Sequence, residues 1–101
     1  MQIFDLNKMN SYPYTEREKN VFYKTKSFKV RIIELPPNGK MPACNMDSYV
    51  IFYILKGKVD IDVNHEKKIL LKGQCLIAEP AIFSMKTKNG AKILGVQITQ
   101  Q

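Results

Sequence analysis

The sulfur-bearing side chains of this 101-residue chain are the first place to look for chemistry. Cys44 and Met46 stand two residues apart, Met41 lies just ahead of them, and Met85 follows far downstream. Thiolate and thioether are soft ligands, and such a set selects Cu(I). The same side chains are common fillers of irregular apolar space, which is the simpler reading here. A reactive thiol at Cys44 would need a lowered pKa and exposure, and only Lys40 is a nearby cation in sequence. His65 is the sole histidine, set between Asn64 and Glu66 at an expected hairpin tip. One histidine outside a pocket supports neither a multi-histidine metal site nor a Ser-His or Cys-His nucleophile pair. Glu34 or Glu79 with Tyr49 or Tyr53 would make an acid–base pair for sugar isomerisation if they met at a pocket rim. Otherwise the carboxylates pair with surface lysines and the tyrosines pack an interface.

The elements that would position these groups are strands. From Val21 onward the apolar period is two, and Phe28, Val30 and Ile32 alternate with Lys29, Arg31 and Ile33, which predicts a strand with one wet face. Pro36-Pro37-Asn38-Gly39 ends it. Tyr49 to Leu55 is apolar on both faces, so its second face needs a cover, either another chain or the amino-terminal arm. Lys56-Gly57 reads as a tight turn, followed by a strand with Val59, Ile61 and Val63 inward. Ile69 and Leu71 return after His65, Leu76 and Ala78 follow Gly73, and two strands flank Lys88-Asn89-Gly90. About eight short strands separated by turn signals predict an all-β sandwich or barrel. Residues Met1 to Asn20 are polar; Thr15 to Lys19 allows one helical turn capped by Thr15, without an apolar face.

This order of strands and glycines resembles the cupin superfamily from about Phe28 to Ile98. The family's first motif runs glycine, five residues, His-x-His, three or four residues, glutamate, six residues, glycine. Gly57 fits the closing glycine, Val50 falls at the glutamate, Cys44 and Met46 fall at the histidines, and Gly39 opens the motif one residue closer than the pattern prescribes. In the second motif Gly73 is the opening glycine, Glu79-Pro80-Ala81 occupies the turn, and Ser84 falls at the histidine; a one-residue slip puts Met85 there. The resemblance implies an antiparallel β-barrel, or jelly roll (the double-stranded β-helix), that retains the scaffold glycines and has none of the usual metal ligands. Metal-free sugar epimerases of this kind normally bring a histidine base, which this barrel would lack.

The expected architecture is a single cupin-like domain over residues 1–101. Residues 1–23 form an arm that is the candidate for exchange in a homodimer. The expected function is non-enzymatic binding of a small apolar or mixed-polarity molecule, with no cofactor. The expected lining is Met41, Cys44, Met46, Val50, Phe52, Ser84 and Met85. Such a lining offers a sugar phosphate few hydrogen-bond donors. A cupin-type enzyme, metal-free or with an atypical metal, is the alternative. The net charge of +7 raises a third reading, a basic surface for nucleic acid or an acidic partner. Its lysines cluster at Lys24, Lys26 and Lys29, at Lys67 and Lys68, and at Lys86, Lys88 and Lys92. Without an amphipathic helix, helix-based DNA reading is disfavoured. No signal segment or membrane span is visible, and two cysteines without Cys-x-x-Cys spacing fit reduced thiols in the cytoplasm.

Overall fold

The computed structural model describes residues 1–99. Eight strands follow an amino-terminal segment: β1 (Val21–Lys24), β2 (Phe28–Leu35), β3 (Lys40–Met46), β4 (Tyr49–Val63), β5 (Glu66–Leu71), β6 (Cys75–Ala78), β7 (Ala81–Lys86) and β8 (Ala91–Ile98). All pairings are antiparallel. One sheet runs β1-β2-β8-β4-β6 and the other runs β3-β7-β4-β5, so β4 belongs to both. This is the jelly-roll barrel that the alternation of residues predicts.

The expected tight turn at Lys56-Gly57 is instead a bend inside one 15-residue strand. The first half of β4 pairs with β6 and β8, and the second half pairs with β5 and β7. The register against β8 shifts between Ile54 and Lys56, which marks a bulge. Bulges bend a strand and let it pass from one sheet to another. Gly57 makes the corner with φ +82°, and a Cβ there would lie 2.2 Å from the Gly90 carbonyl oxygen. Both the dihedral and the close approach require glycine.

The core fills the space between the sheets. Val50, Phe52 and Ile54 enter from the first half of β4, Val59 and Ile61 from the second, Phe83 and Met85 from β7, and Ile93 from β8. Phe52 and Phe83 meet edge-on with centroids 5.7 Å apart, a favoured geometry for ring pairs. His65 sits where expected, at the β4–β5 hairpin. Asn64 and His65 both have positive φ there, the combination that a type I′ turn requires.

Two expectations about the amino-terminal half change. The capped helical turn is a 3₁₀ segment, Tyr14–Asn20, entered through Pro13 with no side-chain cap and kinked at Glu16. It does carry an apolar contact, because Tyr14 packs against the core. Residues 5–24 lie along the barrel. Ser11 and Glu34 exchange side-chain-to-backbone hydrogen bonds. The Lys92 ammonium donates to the Met9 carbonyl at 2.7 Å. Asn20 accepts from the Tyr12 amide and donates to its carbonyl.

The second change concerns β2, whose wet and dry faces are reversed. Lys29, Arg31, Ile33 and Leu35 point toward the barrel interior, where they line one cavity. Phe28, Val30 and Ile32 point outward, and Ile32 is nevertheless only 1% exposed. Its absence from the central core cluster places its burial on the other side of the sheet. An apolar outer face removes the usual cue for which side of a strand faces in.

Candidate functional site

A cavity of about 230 Å³ lies at the end of the barrel where the 3₁₀ segment crosses it. Its floor is apolar: Ile33 and Leu35 come from β2, Phe52 from β4, and Met41 and Met46 from β3. Met41 and Cys44 are three residues apart, which in a regular strand would set them on opposite faces. A bulge between them, spanning Pro42 and Ala43, brings both inward, opposite Met85 and Phe83. Proline belongs at such a position because it has no ladder hydrogen bond to donate.

The mouth is polar. Lys29 and Arg31 arrive from β2, and Gln97 from β8. Tyr12, Tyr14, Arg17, Glu18 and Asn20 arrive from the segment that covers them. Gly95 lies beneath the Arg31 stem and the Phe52 ring, where a Cβ would make ordinary contacts at 3.4 Å and 3.6 Å but a longer side chain would compete for the same space. The guanidinium of Arg31 donates to Gln97 Oε1 at 2.8 Å. Glu18 lies 3.6 Å from Arg31 and 3.8 Å from Lys29, with its own side chain 72% exposed. Burial raises the Tyr14 phenol above its ordinary pKa, and the adjacent Cys44 adds to the effect while Arg17 and Arg31 oppose it. Tyr14 therefore stays a neutral hydrogen-bonding group at physiological pH.

Of the seven expected lining residues, Met41, Cys44, Met46 and Phe52 border this cavity. Val50 is fully buried in the core beside it. Met85 is likewise a core residue, paired with Met41 across β3 and β7. Ser84 is a correction. Strand β7 faces inward through Phe83 and Met85, so Ser84 faces outward beside Asp60, Asp62 and Lys86. The acid–base pair does not assemble as drawn. Glu34 borders the cavity, but Glu79 is exposed between β6 and β7, and Tyr49 and Tyr53 lie on the outer face of β4. The polar mouth was missed because Lys29 and Arg31 look like ordinary solvated positions. Gly95, opposite Arg31 in the β2–β8 register, was the available signal.

Lys29 enters the mouth, Lys92 is buried against Met9, and Lys67 and Lys86 share the outer face of the second sheet with Asp60 and Asp62.

Comparison of the fold identifies its class. The structure superposes on the Thermus thermophilus protein TT1209 with a TM-score of 0.85 and 21% identity, over 100% of both chains. It superposes on the cupin domain of Schizosaccharomyces pombe Cnp3 with a TM-score of 0.72 and 23% identity, over 79% of this chain and 61% of that one. A cupin superfamily protein from Desulfitobacterium hafniense gives a TM-score of 0.74 at 14% identity, over 79% and 74% of the two chains. The chain thus has the cupin fold. No protein-family model matches the sequence, and no curated protein sequence matches it.

The residues at the positions where the cupin motifs carry metal ligands do not fit such a metal site. Cys44, Met46 and Val50 replace two imidazoles and a carboxylate, and β7 offers Phe83 and Met85 inward. Among the described residues, no three His, Cys, Asp or Glu side chains gather where a cation could be held. Hard cations need oxygen donors, and borderline cations need several imidazole, carboxylate or thiolate groups, of which these points offer only the Cys44 thiol.

Proposed function

We propose that this cupin barrel binds a small molecule of mixed polarity in the cavity beneath the 3₁₀ segment, and that it does so without catalysing a reaction. The observation that carries this reading is the gradient inside one cavity, from Phe52, Met41 and Met46 at the floor to Arg31, Gln97 and Tyr14 at the mouth. Small sites commonly combine an apolar pocket with a few polar groups that set orientation. The size also bears on the ligand. A cavity near 150 Å³ takes benzene, so 230 Å³ suits a ligand of roughly ten non-hydrogen atoms or fewer. No general base stands at the apolar floor, which favours binding over proton-transfer chemistry. Small-molecule mass spectrometry on natively purified protein tests the reading. A stoichiometric, heat-released compound of that size is expected. The reading fails if no compound is carried and a panel of such molecules leaves the Met41 and Met46 methyl resonances unmoved.

We further propose that the protein is a homodimer formed through the outer face of the β1-β2-β8-β4-β6 sheet. Cross-strand rows there are apolar from edge to edge: Ile77, Ile51, Val96 and Val30 in one, and Cys75, Tyr53, Leu94 and Ile32 in the next. Ile32 is buried, while Tyr49, Tyr53 and Ile77 remain 40%, 37% and 69% exposed. These rows carry no charge, so the +7 of each chain does not oppose a second copy docking there. Sedimentation equilibrium is expected to show twice the chain mass for the native protein and the monomer mass for Ile51→Lys. A native monomer at tens of micromolar protein, on the order of ordinary interface affinities, would refute the dimer. Among the described residues no helix is long and apolar enough to cross a membrane. Two free thiols, Cys44 and Cys75, support a reducing compartment, the cytoplasm.

A further inference from the structure

The charges around the cavity narrow the ligand class, and this step rests on the binding role proposed above. Three cationic side chains, Arg17, Lys29 and Arg31, border the cavity against two carboxylates, Glu18 and Glu34. One positive charge is left over. Arg31 is the cation best placed to use it, because its side chain is only 13% exposed and Gln97 fixes its guanidinium from one side. A guanidinium presents five N–H donors in a rigid fork, so one bond to Gln97 leaves capacity for an anion.

Glu18 occupies the anion's place loosely. Its carboxylate reaches Arg31 at 3.6 Å and Lys29 at 3.8 Å, beyond hydrogen-bond distance for both. It is largely in water, so breaking these contacts costs little. A ligand carboxylate entering from the cavity side would meet the same guanidinium with less solvent and better geometry. We propose that the cavity takes a small monocarboxylate, its carboxylate on Arg31 in place of Glu18 and its apolar body on Phe52, Met41 and Met46. A single negative charge matches the surplus at the mouth, and a dianion such as a phosphate ester would exceed it. Glu18 then acts as an internal competitor that sets the threshold for binding.

Isothermal titration of the full chain with hexanoate and its neutral isostere hexanamide tests the proposal. Hexanoate is expected to bind about tenfold more tightly than hexanamide, the scale of one charge-assisted contact. Glu18→Gln is expected to tighten hexanoate several-fold and leave hexanamide unchanged, and Arg31→Met to erase the preference. Glu18 is exposed, so its variant folds even if Arg31→Met does not. Equal binding of both ligands, or no gain for Glu18→Gln, overturns the carboxylate assignment and leaves the binding cavity standing. If neither ligand binds or shifts the Met41 and Met46 methyl resonances, the carboxylate assignment falls; the binding role itself falls only if the wider panel also fails.

Discussion

Replacing Gly57 by alanine tests the bend that lets one strand serve both sheets. Two costs add at this position. An L-residue at φ +82° loses about 1–2 kcal/mol relative to glycine. The new methyl group would also sit 2.2 Å from the Gly90 carbonyl oxygen and 3.0 Å from the Ala91 Cα. Those are backbone atoms of the β7–β8 connection and the first residue of β8, and they cannot rotate away. Overpacking of this kind adds about 1–3 kcal/mol, for a total of roughly 2–5 kcal/mol. Gly73 supplies the control. It has nearly the same dihedral, φ +85°, but a Cβ there meets nothing within 4 Å. Gly73→Ala should therefore lose only the conformational part, about 1–2 kcal/mol. Urea unfolding of the two variants and the parent, analysed at constant m-value, reads the difference directly. Equal losses for the two variants would refute the close approach of β4 to Gly90. A neutral Gly57→Ala would refute the corner itself.

Two further outcomes follow from the arm that closes the cavity. Tyr14 has a folded pKa above its ordinary 10.0, so the folded state holds its proton longer than the unfolded chain does. Its contribution to stability is complete below pH 10 and is lost as pH rises through the folded value. Tyr14→Phe should flatten the fall in stability above pH 10, and difference absorbance of the phenolate should place the parent's titration above that of free tyrosine. A titration at or below pH 10 would remove burial as the cause. Lys92→Met removes the 2.7 Å bond to the Met9 carbonyl and should cost up to about 2 kcal/mol. It should also speed hydrogen exchange in residues 9–12 while leaving the β4 amides protected. Unchanged exchange there would show that Lys92 does not anchor the arm.

The barrel was legible in the sequence because strand alternation and turn chemistry are local. Asn64-His65, Gly73 and Asn89-Gly90 punctuate the chain as turn residues should. The inward sets Val50-Phe52-Ile54 and Val59-Ile61 follow from a period of two. The side chains at the positions where the cupin motifs carry metal ligands were equally legible, because residue identity decides donor chemistry wherever the side chain points. Misreading Gly57 as a turn had a physical cause. A hairpin and a bulged corner both demand positive φ, and only the pairing partners on either side distinguish them.

Which face of β2 looks inward is a tertiary decision. The pattern of Phe28 to Ile33 is the same whichever side is wet. Burial of Ile32 on the outer side of the sheet, within the apolar rows there, goes with Arg31 facing the cavity. Strand β7 decided likewise between Ser84 and Met85, since a shift of one residue exchanges the two faces. Sequence alone thus determined the class of shell and the donors it lacks, through short-range backbone preferences and side-chain chemistry. The charged mouth, the bulge that aligns Met41 with Cys44, and the segment over them exist only once distant strands pair and set which side chains share one enclosed space.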